Sequence, residues 1–415
     1  DLTAAAASFA AANPHKTDKL RYHLRNAPAA DLSAGALASP TGLFLARKLL
    51  FNAREAFALL PAALRPKFGA AWRSDALLAQ LQKGGAGEAF HIADAYSPEL
   101  AGTRAQIAER DGELKRLRDA CLKALRERRG LDFSDRDFLV VDEKEAASYA
   151  GSPEVFAEPF DGARVTVKPV YGRDYMRAAA ARERLRAREQ ELEAAVCRRL
   201  AAEVAACRKD IALYCEALGK IDVAFERARL AAELKLVRPA LKGFPSVIRM
   251  ERARFLPLED RLKAAGLKYT PLTAEFGRRV NVIYGSNMGG KTVALKTLAF
   301  MQLLAQSGFF VPAAAFETCL FGGLAFIGGG EMETAGGLSS FGLEMNDFSA
   351  AYGRLKGSTL LILMDEFART TNSEEAAALL NAMLGDLAGR PGAYVFLATH
   401  FSGIDVKEAG RFKMR

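Results

Sequence analysis

The sequence is poor in the residues that build disulfide frameworks and metal centres. It has four histidines and one tryptophan, and no two of its five cysteines form a C-x-x-C pair (Cys121, Cys197, Cys207, Cys215 and Cys319). An odd number of scattered cysteines indicates a reducing compartment and argues against a zinc site. We therefore expect neither a disulfide framework nor a structural zinc ion.

Signals that direct a chain to or through a membrane are also missing from the sequence. No apolar run approaches the length of a membrane span, and the start Asp1-Leu2-Thr3 lacks the charged region that opens a signal peptide. We therefore predict a cytoplasmic protein without a membrane partner. The 415 residues are enough for two or three domains. The net charge of +9 permits binding to a polyanion, although the arginines alternate with acids as they do on solvated helix faces.

A glycine-rich segment fits G-x-x-x-x-G-K-S/T, the pattern of a phosphate-binding loop. It follows the apolar run Val282–Tyr284 and precedes Val293–Leu298, which predicts a strand, a turn and a helix in that order. Backbone N–H groups of such a loop point at phosphate oxygens, and the helix adds its positive N-terminal end. We expect Lys291 to reach the β- and γ-phosphates of ATP and the Thr292 hydroxyl to ligate Mg²⁺. The candidate phosphate-binding residues are Gly285, Ser286, Asn287, Met288, Gly289, Gly290, Lys291 and Thr292.

Two further strand ends carry the groups that ATP hydrolysis requires. The apolar run Thr359–Met364 predicts a strand buried in a parallel sheet, and Asp365 and Glu366 follow it directly. Ligands of open α/β sheets bind at this end of the strands. We expect Asp365 to join the Mg²⁺ shell and Glu366 to orient or deprotonate the attacking water. Another strand, Tyr394–Ala398, leads to His400, which we predict to sense the γ-phosphate by hydrogen bonding.

The segment between the phosphate-binding loop and the acidic strand decides the family. Leu338–Met345 has the form S-S/T-F-x-x-E-M, whereas transporters of the ABC superclass carry an L-S-G-G signature in this place. In this segment, and in Asn287–Lys291, Asp365–Thr371 and Ala398–Phe401, the chain resembles the MutS family of DNA mismatch-repair ATPases.

The resemblance implies an ATPase that uses ATP and Mg²⁺ and works as a homodimer. In the ABC superclass the signature serine caps the nucleotide bound by the partner subunit, so Ser339 and Ser340 are expected to act in trans. The chain departs from the family because no segment resembles the mismatch-reading domain, Glu251–Pro257 lacks a G-R-H-P element, and Thr370 replaces a glycine. The chain is also expected to stop soon after His400, short of the family's final strand and dimerising helices.

The region before residue 241 has mainly helical patterns. Ser97 followed by Pro98 predicts a helix start, and the helix is expected to end at Gly130. A second helix is predicted from Asp174 to Leu218, about 45 residues and ~65 Å long. Tyr96–Leu100, followed by Arg104, resembles the segment that opens the lever helix of MutS proteins, and we predict that the two helices are levers. The segment 131–172 between them, with an Asp-Gly turn, is predicted to form a small β element where that family carries a clamp that closes over DNA.

The predicted fold class is α+α/β, in which a helical core with long lever helices is joined to an ABC-type α/β ATPase domain with a phosphate-binding loop. The predicted domains are a helical core over 1–95, lever helices over 96–130 and 173–240, a short clamp-like tip over 131–172, and the ATPase domain over 241–415.

Two functions fit these predictions. The first is an ATP-dependent DNA-binding clamp in repair or recombination, with DNA contacted at the tip, where Arg164, Lys168 and Arg173 either meet phosphates or are ordinary surface charges. The second is a reactivating ATPase whose partner is an adenosylcobalamin-dependent lysine or ornithine aminomutase. Such reactivases resemble this chain in lacking the mismatch domain and in the residues Asp365–Arg369. A coiled-coil arm with a degenerate ATPase is a poor third interpretation, because every catalytic position is filled.

Overall fold

The structure, a computed structural model, describes residues 2–85, 90–134, 136–149, 151–286, 289–328, 340–369 and 372–414. The chain divides into two compact units. The α/β unit joins Asp1–Thr17 to Gly219–Arg415, and the helical unit is Asp18–Leu218. Within the described residues, no helix combines the length and the apolar character that crossing a bilayer requires.

In chain order the helices are α1 (Leu2–Ala12), α2 (Pro14–Asn26), α3 (Ala34–Leu37), α4 (Pro40–Leu59), α5 (Arg65–Phe68), α6 (Asp75–Leu81), α7 (Pro98–Arg129), α8 (Glu143–Ala146), α9 (Arg173–Ala206), α10 (Arg208–Glu233), α11 (Leu256–Ala264), α12 (Lys291–Gln306), α13 (Ser340–Arg354) and α14 (Ser373–Gly389). The strands are β1 (Leu139–Asp142), β2 (Val155–Asp161), β3 (Arg164–Pro169), β4 (Ala240–Lys242), β5 (Ile248–Ala253), β6 (Leu272–Phe276), β7 (Val280–Tyr284), β8 (Ala315–Cys319), β9 (Gly323–Gly328), β10 (Leu360–Asp365), β11 (Ala393–Thr399) and β12 (Gly410–Lys413). Short 3-10 turns cover Asp94–Tyr96 and Ala147–Tyr149.

Helix α7 begins and ends where the sequence predicts. The Ser97 hydroxyl caps the first turn by accepting a hydrogen bond of 3.3 Å from the Leu100 N–H. Gly130 ends the helix with φ +73°, in the left-handed region that glycine adopts freely. Arg104 joins α7 to α9 by donating to the carboxylates of Glu189 (2.7 Å) and Glu193 (2.5 Å).

The prediction of one uninterrupted helix from Asp174 to Leu218 is wrong. Helix α9 ends at Ala206 and α10 starts at Arg208. At Cys207 the N–H donates to the Val204 carbonyl three residues back, at 3.1 Å, which tightens the last turn and interrupts the regular α-helical ladder. Two shorter helices therefore replace the predicted long one.

The predicted β element between α7 and α9 is confirmed. Strands β1, β3 and β2 form an antiparallel sheet in that order, here called the tip sheet. Its inner face packs on Leu125, Leu131 and Phe133 at the end of α7. Near Pro159 the pairing of β2 with β3 shifts register, as expected for a residue that has no N–H to donate.

A parallel five-stranded sheet, in the order β12-β7-β11-β10-β9, forms the centre of the α/β unit. Every residue of β10 and β11 is buried, which is typical of parallel strands covered on both faces. The side chains of β10 alternate between two cores. Leu361 and Leu363 pack in the core that contains α12, whereas Leu360, Ile362 and Met364 pack in the core that contains α13 and α14.

A second sheet of the α/β unit, in the order β4-β8-β5-β6, contains both parallel and antiparallel pairs. Its strands β5, β6 and β8 contribute Met250, Phe276 and Phe316 to the same core as α12. This sheet therefore braces the α12 side of the central sheet.

The predicted fold class of α+α/β is confirmed. After His400 the chain forms one further described strand, β12, which pairs in parallel with β7 through Gly410–Lys413, and the expectation about the family's final strand and dimerising helices stays a prediction. The predicted domain boundaries stay a prediction. The compact units divide the chain elsewhere, since residues 1–17 and 219–240 belong to the α/β unit.

Candidate functional site

The carboxyl ends of three adjacent strands lie side by side in the central sheet. Strand β11 lies between β7 and β10, and all three run parallel. The pairing places Asp365 opposite Ala398, and Thr399 opposite Tyr284. The glycine-rich loop after β7, the acidic pair at the end of β10 and His400 after β11 therefore emerge side by side, as the sequence predicts for a ligand site of an α/β sheet.

The glycine-rich loop holds Lys291 beneath it. Gly290 caps helix α12 with φ +84°, a conformation that favours glycine. A Cβ on Gly289 would lie only 2.9 Å from the Ser286 carbonyl oxygen, so the turn requires a residue without a side chain there. Lys291 is 3% exposed, and its Nζ donates to the carbonyl oxygens of Gly285 and Ser286, each at 2.9 Å.

The two residues predicted to ligate Mg²⁺ lie in contact. The Thr292 hydroxyl donates a hydrogen bond of 3.1 Å to Asp365 Oδ1. Asp365 is buried, and this burial raises the pKa of its carboxyl, while the bond from Thr292 opposes the rise. Gly328, which pairs with Asp365 from β9, adopts φ +85°, and a Cβ on it would lie 2.2 Å from the Asp365 carbonyl oxygen.

Glu366 lies next to the buried lysine. Its Oε1 is 3.4 Å from Lys291 Nζ, and its side chain is 22% exposed. Its backbone adopts φ +49°, which is costly for a residue with a Cβ. The Glu366 carboxylate therefore faces both the Lys291 ammonium and solvent.

The structure describes two of the other predicted site residues, His400 and Ser340. His400 is exposed, and its ring centre lies 4.5 Å from that of Phe401. Ser340 is the first residue of α13. Asn287, Met288 and Ser339 lie outside the described residues.

Residues 281–413 match the family profile described as MutS domain V. The chain belongs to the MutS family. Among its relatives are proteins named endonuclease MutS2. The one from Thermomicrobium roseum is 30% identical over 347 residues, covering 77% of this chain and 41% of that relative. The one from Geobacillus kaustophilus is 31% identical over 322 residues, covering 75% of this chain and 39% of that relative.

This MutS-family chain thus spans about two fifths of the length of these relatives. The match confirms the resemblance read from the signature and loop motifs. The closer likeness to aminomutase reactivases gains no support from the relatives described above, which carry another name.

One residue of the MutS-like signature, Glu344, contacts the turn after β10, a contact that its motif did not predict. Glu344, which lies in the S-S/T-F-x-x-E-M motif, accepts a hydrogen bond of 2.8 Å from the Ala368 N–H through Oε2. Burial raises the pKa of its carboxyl, and the hydrogen bond from Ala368 opposes the rise. The signal available in the sequence was one acidic residue in an otherwise uncharged motif.

A cavity of about 590 Å³ opens beside Gly290 at the start of α12. No single motif predicted this cavity, since its walls come from five separate stretches of the α/β unit. They include Leu258, Tyr269, Val293, Thr297, Phe412 and Met414.

Proposed function

We propose that this edge of the sheet binds ATP with Mg²⁺ and hydrolyses it. The observation that carries the proposal is the contact between Thr292 and Asp365, which are 73 residues apart in the chain and are joined at 3.1 Å. A hydroxyl and a carboxylate are the two ligands that phosphate-binding-loop enzymes give to Mg²⁺. The bound metal would neutralise charge that develops on the phosphates.

The loop would hold the phosphates through its backbone and Lys291. The first N–H groups of a helix have no partner within the helix, so those at the start of α12 are available to anionic oxygens. Lys291 is already desolvated and fixed by Gly285 and Ser286, which favours a charge-assisted contact with the β- and γ-phosphates. The residues from Gly285 to Thr292 that the structure describes therefore fit a nucleoside triphosphate.

The cavity beside Gly290 fits the base of the nucleotide. It adjoins the loop, and its apolar and aromatic walls, including Tyr269 and Phe412, suit a planar ring. A purine placed there would leave its phosphates directed at the start of α12.

Glu366 would orient or deprotonate the attacking water, and His400 would hydrogen bond to the γ-phosphate. In support, both residues follow adjacent strands, and Glu366 lies 3.4 Å from Lys291, the group that would hold the terminal phosphates. A carboxylate near the γ-phosphate but outside the metal shell suits general-base work.

The role of Thr292 as a metal ligand can be tested by Thr292→Val, which keeps the shape of the side chain and removes its hydroxyl. We expect Mg²⁺ to strengthen ATP binding in the wild type, and we expect that gain to fall about tenfold in the variant, as for one lost bond to a charged group. Titration of a fluorescent ATP analogue with and without Mg²⁺ measures it. The metal-free affinity is the internal control and is expected to stay unchanged. A full response to Mg²⁺ in Thr292→Val would rule out this ligand.

We propose that the chain works as a homodimer, with Ser339 and Ser340 of one subunit reaching the nucleotide of the other. The support is the family signature and the position of Ser340 at the start of α13, whose N-terminal end favours an anion. An ATP-dependent shift from monomer to dimer is the expected consequence.

We propose DNA as the substrate that the ATPase acts on, as a clamp in repair or recombination. The relatives are named as endonucleases, and the net charge of +9 favours a polyanion. The tip sheet offers a surface with Phe156 and Phe160, each 55% exposed, beside Arg164 and Lys168. Arg164 is paired with Asp161, and Lys168 with Glu158, so DNA phosphates would have to replace these carboxylates.

Removing both cations, in the variant Arg164→Ala/Lys168→Ala, is expected to weaken DNA binding for all sequences. Log affinity falls as log salt concentration rises, and each lost phosphate contact reduces the steepness of that fall by about 1. Fluorescence anisotropy over a salt series measures both quantities. The matched control is Arg249→Ala, because Arg249 is equally exposed at 53% and is also paired with a carboxylate, Glu275, but lies in the α/β unit. An unchanged slope would move the contact away from the tip sheet. No DNA binding at low salt would favour a protein substrate.

A further inference from the structure

The turn that follows β10 carries backbone strain on both sides of a buried phenylalanine. Glu366 adopts φ +49° and Ala368 adopts φ +63°, and both lie in the left-handed region that disfavours side chains. Such conformations persist only where the surrounding contacts fix them. The contacts that hold this turn therefore decide where the Glu366 carboxylate points.

Two backbone hydrogen bonds hold the Glu366 end of the turn. The Glu366 N–H donates to the Ala398 carbonyl of β11 at 2.9 Å, and the Glu366 carbonyl accepts from the Arg369 N–H at 3.2 Å. Neither bond reaches Ala368, so the second strained residue needs a partner from another element.

Helix α13 supplies that partner. Glu344 Oε2 accepts the Ala368 N–H at 2.8 Å. The Phe367 ring is fully buried, and its centre lies 6.3 Å from that of Phe341 and 6.2 Å from that of Phe348, both in edge-to-face geometry. Phe341, Glu344 and Phe348 have the spacing i, i+3 and i+7 and thus present one face of α13 to the turn.

We propose that Glu344 is a positioning residue, whose bond to the Ala368 N–H fixes the strained turn and thereby directs the Glu366 carboxylate. This role rests on the ATPase function proposed above and adds a means of control to it. Because α13 starts at Ser340, a contact made by the signature with a partner's nucleotide would act on Phe341 and Glu344, and through them on the turn. The hydrolysis rate would then depend on the position of α13.

The test compares Glu344→Ala with Glu344→Gln. The amide of glutamine keeps a carbonyl oxygen that can accept the Ala368 N–H, so we expect its kcat to stay within about threefold of the wild type. Alanine leaves that N–H without a partner, and we expect kcat to fall at least about tenfold while ATP affinity changes by less than about threefold. General damage to the fold would lower both kcat and ATP affinity, and glutamine would not restore them. A loss of kcat alone, restored by glutamine, therefore indicates the positioning role.

The matched control is Tyr352→Phe. Tyr352 lies on the same helix and loses a side-chain hydrogen bond of 2.6 Å to Asp386, but it has no described contact with the turn. Its kcat is expected to match the wild type. If Glu344→Ala fails to fold, Glu344→Ala/Ala368→Gly replaces it, since glycine accepts a positive φ freely, and Ala368→Gly alone is then the reference.

Three outcomes would overturn the positioning role of Glu344, and one of them would also overturn the proposed ATPase function. A wild type that hydrolyses ATP, beside a Glu344→Ala chain with the same kcat, would overturn the positioning role and leave the ATPase function intact. Equal losses in the alanine and glutamine variants would also overturn it, because the hydrogen bond would not be the cause. A wild type without any ATP hydrolysis would overturn the proposed function and this role together.

Discussion

Replacing Lys291 by alanine is expected to abolish tight ATP binding while the α/β unit stays folded. The Nζ of Lys291 is the buried cation of the loop, 3% exposed and oriented by two carbonyl oxygens. Removing a desolvated charge that faces phosphates should cost about 3 kcal/mol or more, which is roughly a 100-fold loss of affinity or greater. Equilibrium titration with a fluorescent ATP analogue measures the change.

Two companion variants separate lost binding from lost structure. Lys291→Met keeps the aliphatic stem that fills the space beneath the loop, and we expect it to bind ATP as poorly as Lys291→Ala. Lys296→Ala removes the same charge from an exposed position on the same helix, α12, and is expected to retain binding. Thermal unfolding of all three chains is the check on the fold. Unchanged nucleotide affinity in Lys291→Ala would remove the lysine from the site.

Replacing Glu366 by glutamine is expected to trap an ATP-bound dimer. The amide cannot take a proton from water, so hydrolysis should slow by about 100-fold or more. ATP affinity should stay equal or rise, because the variant removes a negative charge that lies 3.4 Å from Lys291 Nζ. Single-turnover hydrolysis and sedimentation equilibrium with ATP measure the two effects.

The control for this substitution is Glu275→Gln, the same chemical change at an exposed glutamate paired with Arg249. It is expected to hydrolyse ATP at the wild-type rate and to show no ATP-trapped dimer. If Glu366→Gln keeps the parental rate, another residue is the base, and His400 is the next candidate. If hydrolysis stops but no dimer accumulates with ATP, the homodimer proposal is wrong.

Local patterns were enough to predict the elements that frame the site. The strand that ends at Asp365 could be predicted because parallel strands buried on both faces are continuously apolar. The ends of α7 could be predicted because Ser97 and Gly130 form hydrogen bonds with free backbone groups only a few residues away in the chain.

Other features could not be predicted from local sequence. The interruption at Cys207 has no proline or glycine near it that would predict a helix end. Strand β12 pairs with β7, which lies more than a hundred residues away in the chain. The hydrogen bond of Glu344 is made with a turn 24 residues away. The contact between Thr292 and Asp365 is an exception. The two residues are distant in the chain, but each lies in a motif that predicts a Mg²⁺ ligand.

Phosphate release from ATP by the purified wild-type chain, followed with Mg²⁺ and again with the metal chelated, tests the ATPase assignment most directly. We expect release that saturates with ATP, requires Mg²⁺, and is at least about 100-fold slower in Glu366→Gln and strongly reduced in Lys291→Ala chains prepared in the same way. Release at the same rate in all three chains would point to a contaminant and contradict the assignment. A folded wild-type chain that neither binds nor hydrolyses ATP would contradict it as well.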